Sequence, residues 1–494
     1  MKQFYSPHSI RRNVFFMMLL VTSVRCNQSA KAVNENRKPN VILILADDAG
    51  YADFGFMRSR DILTPNLDTL AKDGTVFTDA HVSASVCSPS RAGLLTGKYQ
   101  QRFGHECNLE PKQLGAFDDN QTTIAEFLKS KGYHTSIFGK WHLGEEAHQH
   151  PLANGFDYFW GFLAGGRSYF PNDLQDRPGN HRALLENYTA SSFTGYLTDE
   201  IGKNASDYID SRSEADAPFF MYVSFNAPHT PMEAKPEAIA KFGNDHSRPV
   251  YAAMMWSMDE AIGRIIQTLK DQGEYENTLI FFLSDNGGAH NNGSSVVPFK
   301  GWKGNQYEGG TRVPMIVTWN KTLPSGNRFD GLSSSLDIFS TVTSVVGNDD
   351  ADLDGVSLIP YLTGEASDKD PHQELFWRKD EMASIRMGDY KYIVLQDSVH
   401  VLYDLGSDLG EVNDLAYLSP PILDSLRSKL DNWQKKLMEP LWKEPEDWNA
   451  VTRKIYQDLM ANRPPMIKDP KALLEHNGIV FHTKKDSLLI KPSE

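Results

Sequence analysis

Two pairs of oxygen-bearing side chains follow apolar segments of this sequence. Asp47 and Asp48 come directly after the run Asn40–Ala46, and Asp285 and Asn286 closely follow a second such run. If the runs are parallel strands of one sheet, their carboxyl ends meet at one edge and the four side chains lie close together. Carboxylate and amide oxygens suit Ca²⁺ or Mg²⁺ better than Zn²⁺. A single Asp-Asp pair would more often be a turn or helix cap, but two such pairs predict a metal site.

The segment that begins at Ser85 has the most specific spacing in the chain. Cys87, Pro89 and Arg91 form the pattern Cys-x-Pro-x-Arg, and the segment continues to Gly97. It resembles the signature of the type I, formylglycine-dependent sulfatases of the alkaline-phosphatase-like superfamily. In that family the cysteine is oxidised before folding to Cα-formylglycine (3-oxoalanine), and the pattern is what the formylglycine-generating enzyme reads. The resemblance implies this modification here, whereas a lone cysteine is usually a small buried hydrophobe.

Further segments resemble the same family in the same order, over roughly residues 38–418. The second signature is Gly132–Gly144, in which Phe138 stands where a smaller aliphatic residue is more usual. The remaining matches are Ala227–Pro231, Asp285–Gly288, Gly301–Gly304, Tyr307–Pro314 and Leu402–Leu405 with Glu411 and Asn413. The resemblance implies the alkaline-phosphatase-like α/β fold.

The resemblance also assigns a chemical role to several residues. Formylglycine at position 87 hydrates to a geminal diol, of which one hydroxyl attacks sulfur and expels the alcohol. The second hydroxyl then loses its proton, so that the aldehyde re-forms and sulfate leaves. His142 would take this proton, and His229 together with Lys303 would protonate the leaving oxygen.

Charge at the site is assigned in the same way. Arg91, Lys140 and Lys303 would offset the negative charge of the sulfate group. One Ca²⁺ would polarise a sulfate oxygen and lower the pKa of the attacking hydroxyl. Its expected ligands are Asp47, Asp48, Cys87 in its modified form, Asp285 and Asn286.

Other residues of the matching segments leave two interpretations open. Glu308 and Arg312 form either a buried ion pair or a contact to substrate. Arg102, His105 and Glu106 lie either at the mouth of the pocket or at a plain surface helix end. Taken singly, a lysine before tryptophan or a histidine between prolines is as often structural as functional.

Apolar runs alternate with helical patterns over residues 38–345. Continuous apolar strands indicate burial on both faces, as in a large, mostly parallel sheet sandwiched by helices. The predicted strands are Asn40–Ala46, Pro218–Phe225, Thr278–Leu283 and Pro314–Trp319. The predicted helices are Asn66–Asp73, Thr123–Lys131, Tyr196–Arg212 and Val250–Gln272.

The pattern changes after Gly355. Tyr390–Leu395 and Val401–Leu405 are predicted antiparallel strands, and Pro420–Leu437 is a predicted helix. We therefore expect a small C-terminal α+β subdomain over residues 355–440. Residues 441–494, rich in Pro, Lys and Trp, are predicted to form an irregular arm.

The amino terminus predicts export. Arg11 and Arg12 precede the apolar run Val14–Val24, which is shorter than the ~20 residues that span a bilayer. Residues 1–26 are therefore predicted to be the signal peptide of a periplasmic or extracellular protein. The alternative is a lipoprotein signal acylated at Cys26, which would anchor the protein to the outer membrane, although Arg25 is unusual before such a site.

Composition limits the partners. The 494-residue chain carries a net charge of −14, which argues against nucleic acid as a ligand and against long polyanions held over a wide surface. Together with the export signal, the resemblance to the sulfatases predicts a secreted sulfatase, and the acidic surface favours small sulfated saccharides, from algal polysaccharides such as ulvan or from glycosaminoglycans. The alternatives are a phosphatase or phosphodiesterase of the same superfamily, which would use Thr or Ser and two zinc ions, and a non-catalytic protein that binds sulfated glycans.

Overall fold

The computed structural model describes residues 37–109, 121–212, 217–243, 245–347, 352–395 and 399–463, with the short segments 466–467, 482–484 and 487–489. Lys38–Glu494 form one compact unit. The predicted signal peptide and Cys26 lie outside the described residues. None of the described helices is long and apolar enough to cross a membrane.

A large sheet forms the centre of the molecule, and its strands follow the order β10-β2-β9-β8-β1-β7-β3-β4-β5-β6, with β11 beside β2. The strands β8, β1, β7, β3 and β4 are parallel neighbours. The prediction of a mostly parallel sheet is confirmed. The strands are β1 (Asn40–Ala46), β2 (Thr75–His81), β3 (His134–Lys140), β4 (Tyr158–Phe162), β5 (Leu185–Glu186), β6 (Thr189–Ala190), β7 (Phe219–Ser224), β8 (Thr278–Ser284), β9 (Arg312–Thr318), β10 (Asn327–Phe329) and β11 (Ser333–Ser334).

Strand β9 departs from the parallel arrangement. It contains most of the predicted strand Pro314–Trp319, but it runs antiparallel to both of its neighbours, β8 and β2. An apolar run that is buried on both faces does not encode the direction of the strand. Strands β8 and β1 themselves are parallel, so their carboxyl ends lie together at one edge of the sheet.

Helices cover both faces of the sheet. In β1, Ile42 and Ile44 belong to one hydrophobic core, while Leu43 and Leu45 belong to the other, because alternate side chains of a strand point to opposite faces. The first core includes side chains of α1, α4, α5 and α6, and the second includes side chains of α2, α3, α8 and α9. The helices are α1 (Pro65–Asp73), α2 (Cys87–Thr96), α3 (Ile124–Ser130), α4 (Leu197–Asp210), α5 (Pro236–Phe242), α6 (Pro249–Asp271), α7 (Glu308–Thr311), α8 (Asp337–Val346) and α9 (Ile359–Thr363).

The C-terminal part contains a small antiparallel sheet in the order β12-β13-β14-β15. Tyr392 and Leu402 pack with α10, while Ile393 and Val401 pack with α11 on the opposite face. The elements are β12 (Glu374–Lys379), β13 (Met382–Met387), β14 (Tyr390–Leu395), β15 (Val399–Asp404), α10 (Pro420–Gln434) and α11 (Glu446–Met460). The short strands β16 (Met466–Ile467), β17 (His482–Lys484) and β18 (Ser487–Leu489) form a third sheet.

Helix α11 corrects the prediction of an irregular arm from residue 441. Val451, Ile455 and Leu459 recur every four residues and are buried against the small sheet. This spacing places them along one face of a helix, which is the helical signal that the Pro and Lys content of the segment obscured. The predicted helix from Pro420 is present as α10 and ends at Gln434.

A partly buried ion pair ties the loop before the small sheet to α8. His372 Nε2 lies 2.6 Å from Asp337 Oδ1. Burial favours the neutral imidazole, but the negative charges of Asp337 and Asp354 outweigh it and raise the pKa of His372 above its ordinary value. The folded protein therefore binds a proton at this residue more tightly than the unfolded chain does.

We expect His372→Gln to destabilise the protein mainly at acid pH. Because the pKa of His372 is raised on folding, its contribution is complete below the unfolded pKa and is lost as pH rises through the folded pKa. Urea unfolding below about pH 6 should show a loss of about 1.5–3 kcal/mol, as for a hydrogen bond to a charged group. The loss should be much smaller at alkaline pH, and an equal loss at both pH values would contradict this account.

Candidate active site

The two acidic pairs meet at one edge of the sheet. Strands β1 and β8 are parallel neighbours in which Ala46 lies opposite Ser284, so the residues that follow them emerge together. The backbone N–H of Asp48 donates to Asp285 Oδ1 at 3.2 Å, and Asn286 Nδ2 donates to Asp48 Oδ1 at 2.7 Å. The structure thus brings together Asp47, Asp48, Asp285 and Asn286, as the sequence predicts.

Cys87 begins α2 and faces the same edge. Its sulfur lies 3.5 Å from Asp47 Oδ1, 3.9 Å from Asp48 Oδ1 and 2.9 Å from Lys303 Nζ. Burial, together with the negative charge of Asp285, raises the pKa of the Cys87 thiol above its ordinary value, so the unmodified side chain is neutral. Its Sγ marks the position at which the oxygens of a modified side chain would stand.

Arg91, one helical turn after Cys87, is fully buried behind it. Its Nε and Nη2 donate to Asp285 Oδ2 at 3.0 and 2.7 Å. Its Nη1 donates to Ser224 Oγ at 2.6 Å and lies 3.5 Å from the hydroxyl of Tyr222. The guanidinium therefore fixes Asp285 and links α2 to the end of β7.

The two lysines are paired with the first acidic pair. Lys140, the last residue of β3, donates from Nζ to Asp47 Oδ2 at 2.6 Å. Lys303 Nζ lies 2.7 and 2.9 Å from the two carboxylate oxygens of Asp48. With the pair of Arg91 and Asp285, three carboxyl groups face three cations, and the charges of this cluster balance when all three carboxyl groups are ionised.

The carboxylates differ in how strongly they hold their protons. Burial, with the nearby charge of Asp285, raises the pKa of Asp47 to about 7. Burial also acts to raise the pKa of Asp48, but the positive charge of Lys303 and the hydrogen bonds from Lys303 and Asn286 outweigh it and hold that pKa below its ordinary value. Arg91 likewise outweighs burial at Asp285 and lowers its pKa.

Both histidines lie beside the cluster and are neutral. Burial, joined by the charge of Lys140, lowers the pKa of His142 well below its ordinary value. Burial also lowers the pKa of His229 to about 3. His229 Nδ1 lies 2.6 Å from the carbonyl oxygen of Thr230, so Nδ1 carries the hydrogen and Nε2 faces Asp48 Oδ2 at 3.6 Å. A Cβ at Gly165 would lie 2.6 Å from His142 Nε2, so any side chain at that position would require this imidazole to shift.

The donor set fits one hard divalent cation. Ligand atoms of Asp47, Asp48, Cys87 and His229 lie within 4.8 Å of one another. Asn286 Oδ1 is buried and has no hydrogen-bond partner among the described residues, which is expected of an oxygen that binds an ion. Carboxylate and amide oxygens are ligands typical of Ca²⁺. A divalent ion added to the balanced cluster would give it a net charge of about +2 and make it attractive to an anion.

A second cluster of Asp79, His81 and Glu308 is a network of ion pairs. Glu308 accepts hydrogen bonds from Lys391, Arg386 and Arg312 at 2.7, 3.1 and 3.2 Å. Cations therefore surround its carboxylate and connect α7 to the small sheet. This arrangement supports the ion-pair interpretation of Glu308 and Arg312.

The residues after α2 also have structural partners. Arg102 pairs with Asp352 and Asp354, and Glu106 pairs with Arg378. His105 Nε2 lies 2.8 Å from the hydroxyl of Ser88, the neighbour of Cys87.

Trp442 adds a contact that the sequence does not reveal. Its ring packs edge-on against His105 with 4.7 Å between centroids, and its Nε1 donates to the carbonyl oxygen of Asn108 at 3.0 Å. Because His105 contacts Ser88, the segment after α10 supports the start of the helix that carries Cys87. Trp442 lies far from Cys87 in the chain, so spacing alone could not have shown this support.

The chain is similar to known proteins over most of its length. Residues 39–348 match the family model described as Sulfatase. N-acetylgalactosamine-6-sulfatase of Canis lupus familiaris is 33% identical over 386 residues, which cover 73% of this chain and 72% of the relative. The uncharacterized sulfatase YdeN of Escherichia coli (strain K12) is 31% identical over 400 residues, covering 69% of this chain and 68% of the relative. The crystal structure of Ps i-CgsB in complex with k-i-k-neocarrahexaose has a TM-score of 0.77 and 34% identity, over 84% of this chain and 97% of that chain.

Proposed function

Because this chain belongs to the sulfatase family and is a sulfuric ester hydrolase, we propose that it removes sulfate from sulfated carbohydrates with Cys87 converted to formylglycine and one Ca²⁺ bound. The family match confirms the resemblance found in the sequence. The observation that carries the proposal is the position of Cys87 Sγ, 2.9 Å from Lys303 Nζ and 3.5 Å from Asp47 Oδ1. Two of the similar proteins support a carbohydrate substrate. One is the N-acetylgalactosamine-6-sulfatase, and the other is the protein whose crystal structure contains k-i-k-neocarrahexaose.

The charges of the site suit a sulfate ester. Before an ion binds, the three cations and three carboxylates cancel, and a sulfate anion gains little from them. With Ca²⁺ held by the expected ligands Asp47, Asp48, residue 87, Asp285 and Asn286, the cluster becomes positive. The ion would supply a Lewis acid that polarises a sulfate oxygen. The positive charge is thus confined to one pocket of a protein whose net charge is −14.

The residues around position 87 hold the reacting group. Formylglycine there would supply a hydrated aldehyde, whose one hydroxyl attacks sulfur and whose other allows sulfate to leave. Arg91 fixes Asp285 and the start of α2, and Lys303 reaches Sγ itself. Lys140 and Lys303 place ammonium groups where negative charge grows on the sulfate oxygens.

The two histidines move protons in this proposal. His229 keeps its Nδ1–H on the carbonyl of Thr230, so its Nε2 carries no hydrogen. The proton that the leaving oxygen takes up would therefore come from the Lys303 ammonium, and His229 Nε2 could relay it. His142 is neutral because its pKa is lowered by burial, so it can accept the proton of the second hydroxyl. Proton transfers of this kind contribute about 10²–10⁴-fold in rate.

Modification of Cys87 would precede folding. Every residue of α2 is buried, and the Cys87 side chain is 1% exposed. A formylglycine-generating enzyme could therefore reach the Cys-x-Pro-x-Arg segment only before the chain folds. We also propose that the protein is exported, which rests on Arg11, Arg12 and the apolar run Val14–Val24.

Sulfate release tests the function and the substrate class together. The protein, produced with a formylglycine-generating enzyme, would be given oligosaccharides from carrageenan, ulvan and glycosaminoglycans, and free sulfate would be measured by ion chromatography. We expect release from at least one of these classes and none from unsulfated analogues. Release from phosphate esters alone would instead favour the phosphatase of the same superfamily.

Lys303→Met is expected to lower kcat/KM by about 10²–10³-fold, since one preorganised donor at developing charge is worth that much. The control is Lys300→Met, three residues earlier in the same loop. Lys300 Nζ donates to the carbonyl of Glu411 and to Asn462 Oδ1, at 2.8 and 2.7 Å. We expect the control to keep wild-type kcat/KM, and equal losses in both variants would show that the loop, and not the Lys303 ammonium, is responsible.

A further inference from the structure

Asn226 lies at the same edge of the sheet as the catalytic cluster. Ser224, two residues before it, contacts Arg91, and His229, three residues after it, lies beside Asp48. The backbone stays next to β1 throughout, since Phe225 N donates to Leu45 O at 2.9 Å and Asp47 N donates to Ala227 O at 3.0 Å. Asn226 is therefore placed beside Asp47.

The direction of the Asn226 side chain follows from the strand that precedes it. Tyr222 and Ser224 point to the face of the sheet where they contact Arg91 of α2. Phe225 belongs to the core on the opposite face. Ala227 belongs to the same core as Phe225, so the residue between them, Asn226, is placed on the α2 face, where Cys87 and Arg91 lie.

The carboxamide of Asn226 is buried without a protein partner. The residue is 1% exposed, and neither Oδ1 nor Nδ2 has a hydrogen-bond partner among the described residues. Its backbone is well fixed, because the carbonyl oxygen accepts from the Tyr169 hydroxyl and from the N–H of His229. A buried polar group left unpaired costs about 1–3 kcal/mol, so such a group at an active site indicates a ligand.

We propose that Asn226 is a substrate-binding residue whose Nδ2 donates a hydrogen bond to a non-bridging oxygen of the sulfate group. The inference rests on the proposed function, because it requires a sulfate group above Cys87. Sulfate oxygens only accept hydrogen bonds, and each cation of the cluster already has a carboxylate partner. A neutral amide supplies a donor that no carboxylate of the described residues occupies, on the side of the cluster where β7 ends.

The test uses inorganic sulfate as the probe and needs no turnover. Its affinity would be measured by isothermal titration calorimetry on the full chain with calcium present, and kcat/KM would be measured in parallel. We expect Asn226→Asp, which has the same shape but places a carboxylate against the anion, to bind sulfate about ten- to a hundredfold more weakly. Asn226→Ser, which retains a donor, should bind more tightly than Asn226→Asp.

Asn277→Ala is the matched control. Asn277 precedes β8 at the opposite edge of the sheet and donates to the carbonyl of Lys38 at 3.2 Å. Its loss should lower the melting temperature without changing the affinity of the folded protein for sulfate.

Unchanged sulfate affinity and kcat/KM in the Asn226 variants would overturn the inference while leaving the proposed function intact. Affinity that falls only in proportion to the unfolded fraction would overturn it as well. A wild-type protein that releases sulfate from no ester would instead count against the proposed function. The two failures are therefore distinguishable.

Discussion

Arg91→Met is expected to abolish sulfate release and to lower the free energy of unfolding by about 3–5 kcal/mol. The guanidinium is fully buried and makes two hydrogen bonds to Asp285 Oδ2, at 2.7 and 3.0 Å. Removing it leaves a buried carboxylate without its cation, which is the costly way to break such a pair. Asp285 is also a proposed metal ligand, so calcium affinity should change in the same variant.

Arg102→Met is the control for Arg91→Met. Arg102 pairs with Asp352 and Asp354, but its side chain is 33% exposed and Asp352 is 71% exposed. Pairs of this kind contribute about 0–1 kcal/mol, so we expect a small loss of stability and normal activity. Chemical denaturation of both variants would compare their losses of stability, and sulfate release measured on the same preparations would compare their activities. Equal losses of stability would contradict the importance given to the pair of Arg91 and Asp285.

Cys87→Ala is expected to lower kcat by more than about 10⁴-fold while the protein remains folded, since removal of a nucleophile has effects of this size. The Cys87 side chain contributes no large apolar surface, and its sulfur contacts the carboxylates and Lys303. The melting temperature should therefore change little. Steady-state measurements of sulfate release by Cys87→Ala and by the wild-type protein would give the two kcat values to be compared.

Cys107→Ala is the matched control because Cys107 is also a buried free thiol. The pKa of Cys107 is raised by burial, as that of Cys87 is, but the neighbouring charges are those of Lys379 and Glu444. We expect this variant to keep its activity. Loss of activity in Cys107→Ala alone would show that the reacting cysteine had been misassigned.

The sequence predicts the fold well where the hydrophobic pattern is local. The four predicted helices of the large domain are present with ends displaced by at most two residues, and β1 occupies the predicted Asn40–Ala46. The direction of β9 was not predictable, because a strand buried on both faces has the same apolar pattern whether it is parallel or antiparallel to its neighbours. Helix α11 was obscured by the composition of its surroundings, although Val451, Ile455 and Leu459 carry helical spacing.

The site residues that lie in local motifs could also be predicted from the sequence, whereas those that depend on distant contacts could not. The acidic pairs, Cys87 and the charged residues Arg91, Lys140 and Lys303 lie in short segments whose spacing is specific. The structure brings these side chains into one cluster. Ser224 and Trp442 could not be found from spacing, because each contributes through a neighbour that is distant in sequence. Asn226 could not be recognised from the sequence, because the burial of its amide without a partner is visible only in the folded structure. The roles of the individual residues, the identity of the ion and export stay predictions.

The most direct measurement compares turnover with the state of residue 87. Preparations made with increasing amounts of a formylglycine-generating enzyme would be digested, and the fraction of aldehyde in the peptide that contains Cys87 would be measured by mass spectrometry after aldehyde-specific labelling. We predict that kcat for sulfate release rises in proportion to this fraction and extrapolates to zero for unmodified cysteine. Equal kcat in fully modified and unmodified preparations would contradict the account.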